Sequence, residues 1–356
     1  MSGHVSGHMN GAFWSVGECM LELRPQSQGT LAHAAAGDSY NTAVYLKRLA
    51  PDMPVRYVSA LGDDAMSGLI RDHMRDERID DSLIDIRAGG TAGLYAIATD
   101  ANGERRFTYW RAQSAARGML SAAHLAQLGA QLAECRVLLL TGITLAILDD
   151  ERRATLLSLA AQVRAAGGWV ALDNNYRPAL WDVATAREWM GRAAQVCTHA
   201  LFSFDDEVLL HGDRTPAEAL ARIAAIGVPE VVLKLGADGC LLGGTAARAA
   251  QPEHAAQPKH AAEPEHAAQP KHAAEPGHAA QPEHAAQPEH VPALAVRAVD
   301  TTAAGDSFNA GYLARRLRGA SSIKAAEFGC AVAAAVVTHP GAIIPAAALP
   351  SLNTEP

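Results

Sequence analysis

The sequence predicts a three-layer α/β/α sandwich, in which a mostly parallel central sheet lies between two layers of helices and carries a small β flap. Three observations support this. Short apolar runs alternate with amphipathic helical stretches along most of the chain. Several runs are too apolar for a half-exposed strand and suit a parallel sheet covered on both faces. One pair of alternating segments flanks an Asn-Gly step, a strong signal for an antiparallel hairpin.

Strands are expected at 13–16, 55–60, 136–140, Trp169–Asp173, 200–204, 231–235 and 241–242, with a further alternating strand at 294–299. Ala/Leu-rich stretches such as 43–49 and 153–166 follow with helical spacing. Ligands of open α/β sheets sit at the carboxyl ends of the strands, so chemistry is expected there. The hairpin pairs Gly93–Thr99 with 106–111 around Asp100, Ala101, Asn102, Gly103 and Glu104. Period-two geometry puts Phe107, Tyr109 and Arg111 on one face and Thr108 and Trp110 on the other. A tyrosine and an arginine facing one way on a flap suggest a ligand cover.

The chain has 356 residues, of which 42, from Ala249 to His290, are seven copies of Ala-Ala-(Gln/Glu)-Pro-(Glu/Lys/Gly)-His. The remainder is a normal size for one domain with an appendage. Half of the formal charge of −8 lies in the repeat, and the mild acidity left gives no reason to expect nucleic acid or a membrane as partner. Cys19, Cys135, Cys197, Cys240 and Cys330 stand in no CxxC spacing and suit free thiols. No signal peptide and no apolar run of membrane-spanning length is visible, so a cytoplasmic protein is expected. Proline in every repeat unit breaks a helix. In polyproline II the repeat histidines would share a face at roughly 19 Å spacing, too wide for two neighbours to ligate one metal. The repeat therefore reads as an expanded, disordered loop whose deletion leaves activity close to intact, with a weak metal-binding or pH-responsive tether as the alternative. Residues 1–12 and 351–356 read as loose termini.

The most informative segment is DTTAAGDSFNAGY, 300–312. An alternating stretch, then small residues, then a helical run leaves backbone N–H groups unpaired at a helix start, which is an anion site. Ala303, Ala304 and Gly305 have no bulk to block a phosphate, and Asp306 stands where an acceptor hydroxyl would meet a transferred phosphoryl group. A capped helix with a dipole-favoured Asp is the plain alternative. None of Lys47, Lys234, Lys259, Lys271 or Lys324 lies in a Walker A pattern, which disfavours a P-loop enzyme.

The run DTTAAGDSFNAGYL resembles the C-terminal motif of the ribokinase-like (PfkB) family of carbohydrate kinases. Its likeness to the branch acting on 2-keto-3-deoxygluconate extends to AGDSYNTAVYLKRL (36–49), GLYAIATDANGERRFTYWRAQSAAR (93–117), LTGITLAIL (140–148), LDNNYRPALW (172–181) and GAIIP (341–345). The resemblance covers about 13–350, the repeat excepted, and implies a lid from about 28–36 and 91–112. It implies Asp306 as the base and the amides of Ala303 to Asp306 as the anion hole. It also implies a sugar pocket lined by Gly37, Asp38 and Asn41, with Arg111 and Arg177 gripping the substrate carboxylate and Tyr95 and Tyr109 as walls. A fork-shaped cation suits a carboxylate, although Arg177 could instead form an ion pair with Asp173 or Asp182. ATP is implied along Lys234, Gly236, Asp238 and Gly239, a spacing that alone is more often an ordinary turn, with Asn175 at the phosphates. Mg²⁺ is implied near Asp206, although Ser203 stands where the family often has Asn, and Ala36 where it often has Gly. The expectation is an ATP-dependent kinase for 2-keto-3-deoxygluconate, dimeric through the flap. The alternatives are a kinase for fructose or ribose, or a non-catalytic sugar-acid-binding regulator.

Overall fold

The computed structural model describes residues 11–26, 29–99, 105–245 and 288–352. In chain order the elements are β1 (Ala12–Val16), β2 (Met20–Pro25), β3 (Leu31–Ala36), α1 (Asp38–Leu49), β4 (Val55–Gly62), α2 (Ala65–Asp76), β5 (Ile84–Arg87), β6 (Gly93–Thr99) and β7 (Arg105–Trp110). There follow α3 (Ala122–Gln131), β8 (Cys135–Thr141), α4 (Gly142–Ile147), α5 (Asp150–Ala165), β9 (Trp169–Asp173), α6 (Val183–Val196) and β10 (His199–Ser203). The rest is α7 (Phe204–His211), α8 (Pro216–Ile226), β11 (Glu230–Lys234), β12 (Cys240–Gly243), β13 (Glu289–Val291), α9 (Ala304–Leu317) and α10 (Ser322–Val337).

The large sheet has the order β13-β12-β11-β10-β9-β8-β1-β4-β5, parallel from β11 to β5 and antiparallel at β11/β12 and β12/β13. Both faces are covered, and the alternation of side chains shows it. Trp14, Leu138 and Leu140 enter one apolar core, while Phe13, Val137 and Leu139 enter the other. Burial on both faces is why these strands read as continuous apolar runs. The five cysteines are free and buried, and no helix among the described residues is long and apolar enough to cross a membrane.

The flap is a second sheet of order β3-β2-β6-β7. Its hairpin pairs Tyr95 with Tyr109 and Leu94 with Trp110, as the alternation predicts, and Arg111 follows the last strand residue. The turn at 100–104 lies outside the described residues. Sequence reading had missed β2, which adds Met20–Pro25 to the lid. Its apolar alternation is interrupted by Glu22, a charge buried with partners only the fold supplies.

Two boundaries need correction. Ala12, read as part of a loose terminus, is a buried residue of β1. No strand forms at 294–299, where Leu294, Val296 and Val299 are exposed. The edge strand is instead β13, in which Glu289 and His290 of the last repeat unit pair with Leu242 and Leu241. Pro292 follows β13 directly and lacks the N–H needed to extend the ladder. The other repeat residues up to 287 lie outside the described set. Since β12 and β13 are hydrogen-bonded neighbours, removing 249–284 but keeping the last unit is expected to leave the thermal midpoint within about 2 °C, because loop closure depends weakly on length. Removing all of 249–290 deletes most of β13 and should lower it, and scanning calorimetry of the two deletions checks both outcomes.

Candidate active site

The site forms where α1 and α9 begin, at the carboxyl ends of β9 and β11. Ala303 has φ of +60° and passes its carbonyl to Ser307 N at 2.9 Å, which starts α9. Asp300 braces the approach, accepting from Thr302 N at 3.1 Å and Thr302 Oγ1 at 2.7 Å on one oxygen and from Gly341 N at 2.5 Å on the other. The amide of Ala304 donates to Thr301 O at 3.2 Å, which removes it from the expected anion hole. Those of Ala303, Gly305 and Asp306 donate to no acceptor among the described residues. They sit at the positive end of a helix, in left-handed then right-handed backbone that suits an anion.

Asp306 is half-buried in the first turn of α9. Asn41 Nδ2 donates to Asp306 Oδ2 at 2.8 Å, and Thr42 Oγ1 donates to its carbonyl at 3.2 Å. Burial, with the charges of Asp38 and Asp173 added, pushes its carboxyl up to about 8. Asn41 is buried and also accepts from Gly37 N at 3.4 Å through Oδ1. Asn41 thus holds Asp306 in place, with a second N–H and a second lone pair of its amide left over for a sugar hydroxyl. Asp38 accepts from Asn175 Nδ2 at 2.8 Å, which joins the start of α1 to the loop after β9. Gly37 is required by close approach, since a Cβ there would lie 2.3 Å from the carbonyl oxygen of Glu18. Gly37→Ala is expected to cost about 1–3 kcal/mol and lower the thermal midpoint by several degrees, measurable by thermal unfolding. Ala36 ends β3 and is not among the residues with positive φ, so an alanine is accommodated there.

A second group lies beside the first. Lys234 Nζ donates to Asp173 Oδ2 and to Asn309 Oδ1, each at 3.1 Å, and Asn309 Nδ2 donates to the same Asp173 oxygen at 2.6 Å. Lys234 Nζ is also 3.4 Å from where a Cβ on Gly305 would stand, so the lysine reaches the anion turn. Asp206 is largely buried, and burial with Asp173 nearby pushes its carboxyl up to about 6. Arg177 approaches Asp206 at 3.9 Å and is 53% exposed, so its guanidinium is open to solvent. Its acidic neighbour is therefore Asp206, not Asp173 or Asp182.

On the lid, Arg111 is 11% exposed and ion-paired with the buried Glu18. Tyr95 donates its hydroxyl to buried Glu22, which also holds Arg24 at 2.8 Å, so the phenol proton is already committed and the ring is free to serve as a pocket wall. Its ring centroid is 5.6 Å from that of Tyr109, which is exposed. Met20, Ala36, Tyr95, Ile97 and Ala342 form a small apolar cluster against Ala303, linking the lid to the anion turn.

In the loop after β11, Gly236 has φ of +60° and open space at its Cα, which would admit a ligand. A Cβ on Gly239 would stand 2.1 Å from Val291 O, so a glycine is also needed there for the close approach of β13. Asp238 accepts through its carbonyl from His290 Nε2 at 2.7 Å, and the loop is tied to the same edge strand. Sequence reading missed Asp173, Asn309 and Glu18 as site residues. Asn309 could have been found one turn after Asp306 on the same helical face, and Asp173 at the carboxyl end of its strand.

The family model "pfkB family carbohydrate kinase" matches residues 8–261 and 283–349. The chain is 38% identical over 342 residues to a 2-dehydro-3-deoxygluconokinase of Dickeya dadantii, covering 94% of this chain and 97% of that one. It is 37% identical to the 2-dehydro-3-deoxygluconokinase of Escherichia coli K12, covering 94% and 98%. Among solved structures, a putative ribokinase II from E. coli in complex with ATP and Mg²⁺ superimposes with a TM-score of 0.71 at 20% identity, covering 96% of each chain.

Proposed function

The chain belongs to the pfkB family of carbohydrate kinases, and from that premise we propose that it transfers the γ-phosphoryl group of ATP to the terminal hydroxyl of 2-keto-3-deoxygluconate (2-dehydro-3-deoxygluconate), giving the 6-phospho product and ADP. The observation that carries the reading is Asp306, fixed by Asn41 beside the amides of Ala303, Gly305 and Asp306. Asp306 accepts the proton of the attacking hydroxyl, and the amides hold the charge that develops on the transferring group. Arg177, with its open guanidinium, and Arg111 grip the carboxylate of the acid sugar. Asp38 and Gly37 line the sugar side, and the rings of Tyr95 and Tyr109 close it. Closure of the lid excludes water that would otherwise hydrolyse ATP.

The nucleotide lies along the edge made by Lys234, Gly236 and Asp238, with Asn175 toward its phosphates. Mg²⁺, when bound, offsets phosphate charge and usually keeps several waters. The residues fit such a cation, because Asp206 and Asp173 crowd negative charge that a dication would relieve. Asp206 would hold it, through water. Exposed Leu31 and Trp110 on the lid support burial of that sheet against a second copy of the chain.

The experiment is ADP release by the purified protein with 2-keto-3-deoxygluconate, fructose and ribose offered in turn. Turnover is expected with the acid sugar. Turnover only with a neutral sugar would overturn the substrate, and binding without turnover would overturn the kinase reading in favour of a regulator.

A further inference from the structure

Away from the catalytic cleft, one pair of side chains joins the lid directly to the body. His33 stands on β3, exposed, and His73 in the last turn of α2, half-buried. Their Nδ1 and Nε2 atoms face each other at 3.3 Å, with ring centroids 5.4 Å apart and planes at 71°. A proton shared along that line is one use of the arrangement. The other follows from coordination geometry, since two imidazole nitrogens on one tetrahedral zinc ion, each at its usual bond length, stand about 3.3 Å apart. The observed separation already meets that value.

We propose that His33 and His73 form a two-histidine site for a borderline divalent ion of the Zn²⁺ class, which fastens β3 of the lid to α2 of the body. Imidazole suits such ions, whereas Mg²⁺ prefers oxygen ligands, so the site is distinct in chemistry from the proposed nucleotide metal. No third His, Cys, Asp or Glu completes a cluster among the described residues, so water would fill the other positions. Burial and the neighbouring His33 lower the pKa of His73, which keeps a lone pair available at neutral pH. Asp72, Asp76 and Glu77 at the same helix end add a field that favours a dication, while Arg75 pairs with Asp72 and Arg48 with Glu77. Because β3 runs directly into Gly37 and Asp38, metal at this clasp bears on the mouth of the site.

The test is calorimetric titration of the full chain with zinc chloride, in wild type, His33→Ala and His73→Ala, alongside hydrogen–deuterium exchange of residues 31–36 and 65–76. The repeat histidines are common to all three proteins, so the differences isolate the clasp. One binding step should be lost or weakened by about tenfold or more in each variant, and zinc should slow exchange in both segments of the wild type only. Superimposable isotherms, or zinc-dependent protection that persists in His33→Ala, would overturn the proposal. If His73→Ala does not fold, the exposed His33 variant decides alone, and its turnover without zinc should match wild type.

Discussion

Asp306→Asn is expected to lower kcat by roughly a thousandfold or more, with ATP binding largely retained. The variant keeps a side chain of the same shape in the first turn of α9 and an oxygen for Asn41, but it cannot accept a proton. The same substitution should stabilise the unliganded protein. Burial and the charges of Asp38 and Asp173 raise the carboxyl of Asp306 to about 8 from an ordinary value near 3.8. Between those values the folded chain holds a proton that the unfolded chain has released, so stability falls as pH climbs through this window. The stabilisation belonging to the neutral carboxyl is complete below about 4 and lost above about 8. Asparagine remains neutral throughout. The thermal midpoint of Asp306→Asn should therefore exceed that of wild type at pH 8 and converge with it near pH 4, and kcat/KM of wild type should rise through pH 7 toward a plateau above about 8. A variant with near wild-type kcat would remove Asp306 from the role of base, and a midpoint difference independent of pH would remove the raised carboxyl.

How much of this was legible beforehand depends on whether a residue's partner is local. The runs forming β1, β8 and β9 could be read because a strand buried on both faces must be apolar whatever lies beside it. The anion turn could be read because the small residues and Asp306 lie within four positions. What escaped depends on contacts across long stretches of chain. The hold of Asn41 on Asp306 was not legible because its partner lies 265 residues away. β13 was hidden because two of its three residues belong to a polar repeat, and only the exposed edge of β12 gives them a place. The apolar alternation at 294–299 pointed to a strand, but Pro292 ends the ladder before it.

The sharpest case of such a hidden partner is Arg111, which was read as a cation awaiting a carboxylate and is already paired with one. Glu18 is fully enclosed beside it, so Arg111→Met removes two things at once, the grip on the acid sugar and the neutralisation of a buried charge. Leaving such a charge unpaired costs about 3–5 kcal/mol. Losing a charge-assisted contact to substrate should lower kcat/KM for the acid sugar by about a hundredfold or more. The two effects separate in the double variant Glu18→Gln with Arg111→Met. With no buried charge left, the thermal midpoint should return most of the way to wild type, while kcat/KM stays low because Arg177 alone is left to grip the carboxylate. Recovery of turnover together with stability in the double variant would reduce Arg111 to a structural counter-ion of Glu18 and leave Arg177 as the substrate cation. If instead the single variant folds normally but turns over poorly, Arg111 serves the substrate and is dispensable as the counter-ion of Glu18. Kinetics and thermal unfolding of the three proteins side by side decide among these outcomes.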